Sequence, residues 1–463
     1  MSGADDRLAA LMDLLADLPP AAVLTGTSIG AGRSADMSTT PGVRPRVVFR
    51  PGSVDELSRI LAVCHALHQP VVTQGGLTGL AGGASPAEGE VALSLERFRA
   101  IEPLDADTGS VLCGAGVALA TLQATAANEG YRFPIDLGSR GTATVGGMVA
   151  TNAGGIRAMR HGMMRDQILG LEVVLADGTV LSRLGTLAKD NSGFDLKHLF
   201  CGTEGTLGIV TRARLALQPQ PRLNAVALIA LPDLAAAQTL LQRLRQDLGA
   251  QLSAFEFIER RVYAAVAALG QVRTPLASGS DMGLIEIEGI DGHDVDAFQA
   301  ALADAVKAGL VTDALIGTSA REQDDLWALR DGCSQMIFTL SDTWGFDIGV
   351  DAARLRPFLS QTEAQILTAD PDARLWLFGH LGDGNIHFIV TTRHPSTVAD
   401  IVYAAIRRFG GALSAEHGLG REKAAMLSLV RSDAEIATMR RLKAALDPHA
   451  ILNPGRVLPA EAP

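Results

Sequence analysis

Residues 46–84 read RVVFRPGSVDELSRILAVCHALHQPVVTQGGLTGLAGGA, and this stretch decides the fold of the N-terminal half. The runs RVVF and PVVTQ predict strands, and Ser53 with Glu56 three residues later predicts a capping box that starts a helix between them. This βαβ-like unit opens directly into a loop that contains Gly75, Gly76, Gly79, Gly82 and Gly83. Glycine lets backbone amides approach an anion such as a pyrophosphate, although tight turns use glycine equally often. The loop is neither a Walker loop nor GxGxxG, so by itself it is weak evidence for a ligand.

Two further glycine-rich stretches follow, PIDLGSRGTATVGGMVATNAGG at 134–155 and CGTEGTLGIVT at 201–211. Three such stretches around one domain predict a single extended ligand. Between them, LGLEVVLADGTVL predicts a hairpin that turns at Asp177 and Gly178. The proline-rich QPQPR at 218–222 predicts a domain junction.

The second half predicts an α+β domain. VALIAL, FEFIER and LIEIEG have the pattern of strands, and residues 234–248 and 295–308 have the pattern of helices. The domain ends in GHLGDGNIHF at 379–388 and, after a further helix, SAEHGLGREK at 414–423.

These two motifs predict a metal site. Histidines seven positions apart on one strand would face opposite ways, but the turn formers 382–385 predict a hairpin that presents His380 and His387 to one point. Glu416 would complete the set. Two imidazoles and one carboxylate leave open positions on a divalent ion, which favours a catalytic over a structural site. His417 is either a further ligand or an acid/base group, and the spacing does not separate these roles.

Composition narrows the class of protein. A chain of 463 residues with 47% hydrophobic content predicts two or three globular domains. The net charge of −11 argues against a nucleic-acid binder. Cys64, Cys113, Cys201 and Cys333 form no CxxC pair, so neither an iron–sulfur cluster nor a disulfide framework is expected, and a reducing compartment fits.

The N-terminal segment MSGADDRLAALMDLLADLPP predicts an amphipathic helix that ends by Pro19. It lacks the basic start and the cleavage site of a signal peptide, and no apolar run reaches membrane-spanning length. The expected compartment is the cytoplasm, with a peripheral position at the inner membrane as the alternative.

The glycine-rich stretches, the metal-site motifs and the NPGRV tail resemble the FAD-linked D-2-hydroxyacid dehydrogenases, a family that includes D-lactate, D-2-hydroxyglutarate and glycolate dehydrogenases. The resemblance covers about residues 47–457. It implies an α+β chain with a two-subdomain flavin domain of the vanillyl-alcohol-oxidase type, followed by a substrate domain with an antiparallel sheet. The expected divisions are an N-terminal helical segment at 1–39, the FAD domain at 40–219, the substrate and metal domain at 220–420, and a C-terminal segment at 421–463 that returns to the flavin.

The resemblance also assigns cofactor residues. Those similar to the pyrophosphate loop are Thr73, Gln74, Gly75, Gly76, Leu77, Thr78 and Gly79. Those similar to the stretch beside the flavin ring and ribityl chain are Pro134, Asp136, Ser139, Gly141, Thr144, Gly146, Gly147, Asn152, Gly154 and Gly155. Those similar to the adenosine side are Glu204, Gly205, Gly208 and Ile209, and Asn453 resembles the tail residue that returns to the ring.

Leu77 bears on how the flavin is bound, and some of the other assigned residues also have a purely structural explanation. Relatives that bond the flavin covalently have a histidine after the glycine pair, so Leu77 predicts tight but non-covalent FAD. A turn or a backbone hydrogen bond explains single residues such as Thr144 or Asn152 equally well.

The chemistry implied is oxidation of a 2-hydroxy acid, in which the hydroxyl loses a proton as hydride leaves the adjacent carbon. We assign His417 as the base, His380, His387 and Glu416 as ligands of zinc or, alternatively, manganese, and Asn385 as a neighbour that steadies the substrate. Arg330 resembles the arginine that holds the substrate carboxylate, with a surface helix charge as the alternative. Ser334, one turn later, matches a hydroxyl-bearing position of the family.

One departure from the family concerns specificity. Hydroxyglutarate-type members have a lysine fifteen residues after this arginine, where the present chain has Gly345 in WGFDIGV. Loss of that cation, with Trp344 beside the gap, predicts a monocarboxylate such as D-lactate, or a larger apolar or aromatic acid, over D-2-hydroxyglutarate.

Other functions remain open. A flavin-containing transferase would share the fold, but its members resemble a pattern with consecutive histidines, which this chain lacks. A non-catalytic or partner-dependent FAD subunit of a glycolate-oxidase-like complex is the other alternative. Without iron–sulfur motifs, the electrons must pass to a separate carrier such as a quinone, an electron-transfer flavoprotein or a cytochrome. A homodimer is one possible assembly.

Overall fold

The computed structural model describes residues 3–187, 189–289 and 291–459. These residues form two compact units. Unit 1 takes the described chain up to Gly155, then Gly162–Gln220, and the chain from Glu416 onward. Unit 2 takes Ile156–His161 and Pro221–Ala415.

The helices follow one another along the chain. They are α1 Gly3–Leu14, α2 Val54–Ala66, α3 Leu119–Asn128, α4 Val145–Thr151, α5 Ala158–His161, α6 Met164–Gln167, α7 Leu196–Leu199, α8 Leu234–Leu248, α9 Arg260–Leu269, α10 Gly292–Lys307, α11 Ala320–Ile337, α12 Ala352–Ala369, α13 Pro395–Phe409 and α14 Asp433–Leu446. Short 3-10 helices lie at Pro20–Ala22, Gly26–Ser28, Ala31–Arg33, Gly249–Gln251 and Ala424–Leu429.

The strands are numbered in the same way. They are β1 Val23–Thr25, β2 Val47–Phe49, β3 Val71–Gln74, β4 Val91–Ser94, β5 Ser110–Gly114, β6 Tyr131–Arg132, β7 Ile168–Val174, β8 Val180–Arg183, β9 Ile209–Ala216, β10 Gln218–Pro219, β11 Leu223–Leu231, β12 Leu252–Ile258, β13 Asp281–Gly289, β14 Asp313–Gly317, β15 Thr343–Gly349, β16 Arg374–His380 and β17 Asn385–Thr391.

The first sheet of unit 1 contains the predicted βαβ-like unit. Its order is β1-β2-β4-β3, and β2 and β3 both run parallel to β4, which separates them. The Ser53 side chain accepts the Glu56 N–H as expected, but the Glu56 carboxylate returns to the N–H of Gly52, one residue before the predicted partner. The apolar face of α2 is buried with β2, β3 and α1 in one core.

The second sheet of unit 1 is antiparallel, in the order β5-β9-β7-β8. The predicted hairpin joins β7 to β8 and turns at Asp177 and Gly178, where Gly178 has a φ of +87°. A positive φ favours glycine, so this turn explains the residue type. This sheet and α3, α4 and α6 enclose a second apolar core.

The C-terminal segment of unit 1 docks on the free edge of β3. Leu452 pairs with Val71 in parallel, and the Asn453 N–H donates to the Val71 carbonyl at 2.9 Å. Behind this contact, Arg456 is 1% exposed and forms an ion pair with Glu90, Nη2 to Oε2 at 2.9 Å. The tail is therefore fixed by strand pairing and by a buried charge pair.

Unit 2 is built on an antiparallel sheet, as expected, with the order β14-β11-β13-β12-β16-β17-β15 among the described strands. Helices α9 and α11 pack on one face through an apolar cluster that includes Phe378 and Ile389. On the other face, Phe358 of α12 and Tyr403 of α13 contact Phe388 and Phe346. Successive side chains along a strand point to opposite faces of the sheet, so they pack alternately against α9 and α11 or against α12 and α13.

Within residues 3–187, 189–289 and 291–459, no helix combines the length and the apolar character that a bilayer-crossing helix needs.

The buried Arg456–Glu90 pair generates a stability prediction. Arg456→Met should lower the free energy of unfolding by about 3–5 kcal/mol, because it leaves a buried carboxylate without its cation. Urea unfolding of purified protein measures this. The control is Arg59→Met, which removes an exposed partner of Asp17 and should change stability little. Equal effects of the two substitutions would contradict the prediction.

Candidate active site

The predicted hairpin is present in unit 2 and joins β16 to β17. Its register pairs His380 with Asn385 and Phe378 with His387. These side chains share one face, because positions two apart along a strand point the same way. The rings of His380 and His387 meet edge to face with centroids 5.4 Å apart, and each ring offers a nitrogen within 4.8 Å of the other.

His380 is oriented by a buried carboxylate on the neighbouring strand. Glu256 of β12 lies opposite His380, and its Oε1 is 2.6 Å from His380 Nδ1. Burial alone would raise the pKa of Glu256, but the charges of His380 and Arg330 outweigh it and bring that pKa down to about 2. An imidazole that binds a metal must give up one of its ring protons, and an ionised Glu256 keeps the remaining proton on Nδ1 of His380, so Nε2 is the atom that could bind a metal.

Arg330 approaches the same carboxylate from α11. Its Nε donates to Glu256 Oε2 at 2.5 Å, and its guanidinium lies over the Phe378 ring at 4.9 Å. Arg330 is 6% exposed, so it is not a surface helix charge. Ser334, one turn later, is exposed.

Asp347 and Asn385 complete this face of the sheet. Asp347 of β15 lies opposite His387, and its Oδ1 accepts a hydrogen bond from Asn385 Nδ2 at 2.6 Å. Asn385 Oδ1 is buried and has no hydrogen-bond partner among the described residues. An acceptor in that state is suited to a ligand that donates a hydrogen bond or carries a positive charge.

The chain that leads to the second motif is anchored on Asp347. Asp347 Oδ2 accepts from the Ser414 hydroxyl at 3.0 Å, and its backbone carbonyl accepts from the Ala415 N–H at 3.3 Å. The next two residues in the sequence are Glu416 and His417.

In unit 1, Glu416 begins a loop that Glu204 holds in place. Glu416 Oε1 accepts from the Gly155 N–H at 2.8 Å. The two oxygens of Glu204 accept from the N–H groups of Leu419 and Gly420 at 2.7 and 2.9 Å. Burial raises the pKa of Glu204, and these two N–H groups oppose the rise. Glu204, assigned to the adenosine side by resemblance, thus has both oxygens engaged by the loop that carries His417.

The three glycine-rich stretches meet in unit 1. A Cβ on Gly76 would lie 1.9 Å from the Thr142 carbonyl oxygen, so the first stretch touches the second with no room for a side chain. The Glu204 N–H donates to the Ala150 carbonyl at 2.8 Å, which joins the third stretch to the second. Leu77, in the first stretch, has a φ of +57°, a conformation that residues other than glycine rarely adopt.

Two polar atoms at the start of the first stretch are buried without a hydrogen-bond partner among the described residues. They are Thr73 Oγ1 and Gln74 Oε1, at the end of β3. Gln74 Nε2 is already engaged by the carbonyls of Arg33 and Ala84. Orphaned acceptors beside a glycine loop fit a polar ligand such as a dinucleotide.

In the second stretch, several predicted cofactor residues have local structural contacts. Thr144 caps α4 by accepting the Gly147 N–H at 3.4 Å, and Asn152 ends that helix with a φ of +51°. Gly155 bridges to Asp136, and the Gly146 N–H donates to Ala115. Ser139 accepts from the turn before α4; Gly141 is exposed, and Pro134 and Gly154 are buried.

The predicted residues of the third stretch and the tail also have local contacts. Gly205 and Gly208 face Asn453 and Val173, and Ile209 opens β9. Asn453 accepts the Thr73 N–H at 2.8 Å and donates to the Glu204 carbonyl at 2.6 Å. Both ends of its amide therefore join the first stretch to the third.

Glu256 and Asp347 are site residues that were not predicted from the sequence. Each is a charged residue at an inward position of an apolar strand, AFEFI and GFDIG, and each is at most 2% exposed. A buried carboxylate needs a partner, so this pattern was the available signal.

Gly345 and Asp347 lie two positions apart on β15 and therefore share one face of the sheet. Asp347 is opposite His387, and Gly345 is in the next row on that face, further from Asn385. Its row across the sheet continues through Ile389 and Trp376. Trp344, expected beside the gap, is the adjacent residue and points to the opposite face. The row beside His387 is therefore apolar, with Trp376 as its aromatic member.

Comparison with known proteins places the chain in a family. Residues 220–457 match the family described as FAD linked oxidases, C-terminal domain, and residues 45–183 match the FAD binding domain family. A mitochondrial D-2-hydroxyglutarate dehydrogenase of Bos taurus is 36% identical over 99% of this chain and 84% of its own. A D-2-hydroxyglutarate dehydrogenase of Xanthomonas citri pv. viticola is 37% identical over 92% of this chain and 91% of its own.

Solved structures agree on the fold. A p-cresol methylhydroxylase with substrate bound superposes with a TM-score of 0.80 at 16% identity, over 99% of this chain and 98% of that one. An alkyldihydroxyacetonephosphate synthase gives a TM-score of 0.75 at 18% identity, over 96% and 84%. The chain therefore belongs to the FAD-linked oxidase family, has the vanillyl-alcohol-oxidase-type fold, and is an FAD-dependent hydroxyacid dehydrogenase similar to the D-2-hydroxyglutarate dehydrogenases.

Proposed function

We propose that this chain oxidises a D-2-hydroxy acid to the 2-oxo acid at a metal site made by His380, His387 and Glu416. The observation that carries the proposal is the pair of imidazoles on one face of the sheet, with Nδ1 of His380 bound to Glu256. A histidine that donates one ring N–H to a carboxylate has the form of a metal ligand with its supporting partner.

The residues present fit both groups. For a divalent ion, His380 and His387 offer two imidazole nitrogens and Glu416 offers a carboxylate, a donor set that zinc or manganese accepts. For FAD, they offer Thr73 Oγ1 and Gln74 Oε1 beside the glycine loop. Leu77 has no nucleophilic atom, which supports non-covalent binding. When bound, FAD supplies the hydride acceptor and a divalent ion lowers the pKa of the substrate hydroxyl.

The chain's own residues bind, orient and deprotonate the substrate. His417 takes the hydroxyl proton, and Asn385 steadies the substrate beside His387. Arg330 and Ser334 hold the substrate carboxylate. Arg330 has five N–H donors, so its Nε bond to Glu256 is compatible with a carboxylate at the terminal nitrogens.

Specificity is proposed to favour a monocarboxylate with a small or apolar side chain. The row Gly345, Ile389 and Trp376 is roughly 7 Å along the strands from the row of His387, and it offers no cation to a distal carboxylate. The names of the relatives favour D-2-hydroxyglutarate as the second candidate.

We also propose the domain division, the electron acceptor, the cellular location and the assembly of the protein. The FAD domain spans 40–219, the substrate domain 220–420 and the returning segment 421–463, and the change of unit after Gln220 supports the first of these two boundaries. Electrons pass to a quinone, an electron-transfer flavoprotein or a cytochrome. A cytoplasmic location, at the surface of the inner membrane or away from it, is supported by four free, buried cysteines. A homodimer is the proposed assembly.

His387→Ala should lower the rate of flavin reduction by a D-2-hydroxy acid by roughly 100-fold or more, since it removes a ligand of the ion. FAD should stay bound, because the predicted flavin residues lie in unit 1 and His387 lies in unit 2. Anaerobic absorbance with a panel of D- and L-2-hydroxy acids measures both effects.

The matched control is His394→Ala, an exposed histidine seven residues later, which should leave the rate unchanged. Chelation should inactivate the wild type, and zinc or manganese should restore it. Full activity of His387→Ala, or of the chelated enzyme, would refute the metal role.

Gly345→Lys should shift the preference toward D-2-hydroxyglutarate and away from D-lactate by about tenfold or more, because one charge-assisted hydrogen bond contributes roughly 1.5–3 kcal/mol. Ile389 Cγ1, 3.8 Å away, is the atom nearest to a Cβ at this position, so a side chain fits. The ratio of kcat/KM values measures the shift. Trp344→Lys places the same charge on the opposite face and should leave the ratio unchanged. Wild-type turnover of D-2-hydroxyglutarate far above that of D-lactate or D-mandelate would make the monocarboxylate proposal wrong.

A further inference from the structure

Residues Ile156–His161, here called the strap, belong to unit 2 although the chain on either side belongs to unit 1. The chain enters the strap after Gly155, at the end of the second glycine-rich stretch, and leaves it at Gly162. The strap contains the short helix α5 and carries Arg157, Arg160 and His161. The proposed function gives these residues no role.

Two buried carboxylates of β13 hold the strap. The Glu286 and Glu288 side chains are each 2% exposed. Arg157 binds Glu286 through Nε at 2.7 Å and Nη2 at 2.8 Å, while Arg160 and His161 approach Glu288 at 3.3 and 3.1 Å. A buried carboxylate is stable only with a cation or hydrogen-bond donors beside it. Glu286 and Glu288 therefore hold the strap on the sheet, and the bidentate contact of Arg157 also fixes its orientation.

Glu286 also binds helix α11. Besides the two bonds from Arg157, its carboxylate accepts from the Ser253 hydroxyl at 2.6 Å and from Trp327 Nε1 at 3.2 Å. The Arg157 guanidinium carbon lies 5.8 Å from the centre of the Trp327 ring. Arg157 therefore contacts α11 both directly and through Glu286.

The same helix carries Arg330, three residues after Trp327. Residues three apart share a side of a helix, so Trp327 and Arg330 both face the sheet. Trp327 reaches Glu286 of β13, and Arg330 reaches Glu256 of β12, the carboxylate that binds His380. If Trp327 lost its position against Glu286, α11 would be expected to shift. A shift of α11 would change the position of Arg330 and so its contact with Glu256, the carboxylate that binds His380.

The strap touches the histidine hairpin as well. A Cβ on Gly382, in the turn between His380 and His387, would lie 2.4 Å from Met159 Sδ. The Gly382 N–H donates to the Phe255 carbonyl at 3.0 Å, next to Glu256. Met159 thus packs on the turn that sets the spacing of the two histidines.

We propose that Arg157 is a positioning residue: by binding Glu286 and Trp327 it fixes α11 and the strap, and so sets Arg330 and His380 for substrate and metal binding. The inference rests on the proposed function for what Arg330 and His380 bind. The bidentate contact requires the planar guanidinium of arginine, which lysine lacks. Arg157→Lys should therefore keep more activity than Arg157→Gln but less than the wild type.

The test compares Arg157→Gln with the double variant Arg157→Gln/Glu286→Gln. The single variant leaves a buried carboxylate without its cation and could unfold. The double variant removes both charges and keeps hydrogen-bonding groups, so it should fold. In the double variant we expect flavin absorbance as in the wild type, faster amide hydrogen exchange in residues 320–337, weaker zinc binding, and a kcat/KM lower by roughly 10- to 100-fold.

The matched control is Arg260→Gln. Arg260 pairs with Asp281 on the same strand as Glu286, but it lies on α9 and contacts neither α11 nor the hairpin in the contacts the structure describes. It should leave exchange in 320–337, zinc binding and kcat/KM unchanged. Wild-type exchange, zinc affinity and kinetics in the double variant would overturn the inference, because they would reduce Arg157 to a stabilising ion pair.

The inference and the proposed function fail in different ways. A wild type that neither binds zinc nor is reduced by any D-2-hydroxy acid would refute the proposed function. In that case the exchange of residues 320–337 still decides whether Arg157 positions α11, since it requires no turnover.

Discussion

The buried Glu256 carboxylate organises the site in unit 2. It binds His380 from the hairpin and Arg330 from α11, and these two charges keep its pKa low in spite of complete burial. One carboxylate therefore sets the tautomer of the histidine, the position of the arginine and the distance between a strand and a helix. Removing either partner would leave a charge that the apolar surroundings cannot stabilise.

In unit 1, a carboxylate and a side-chain amide are held by backbone groups. Glu204 receives the N–H groups of Leu419 and Gly420, and the Asn453 amide joins the Thr73 N–H to the Glu204 carbonyl. The loop after His417, the glycine-rich stretches and the tail are thereby tied together. Residues that resemble flavin contacts thus also have structural partners, so a substitution there would affect the fold as well as the cofactor.

Local patterns predicted the elements well where one residue type decides the backbone. The Asp177–Gly178 turn and the His380–His387 hairpin follow from turn formers between apolar runs, and the structure has both. The βαβ-like unit was correct in its elements, but β4 separates its two strands. Strand order depends on long-range packing, which local periodicity does not report.

By itself, the sequence determined the family, the glycine stretches, the hairpin and the set His380, His387 and Glu416 as candidate ligands, because these depend on residue types at short spacings. Only the tertiary structure decided that Glu256 supports His380 across 124 positions, that Trp344 points away from Gly345, and that the strap belongs to unit 2. Each of these depends on which strands become neighbours and which face a residue takes. Those choices are made by burial of the whole sheet and by the pairing of its buried charges.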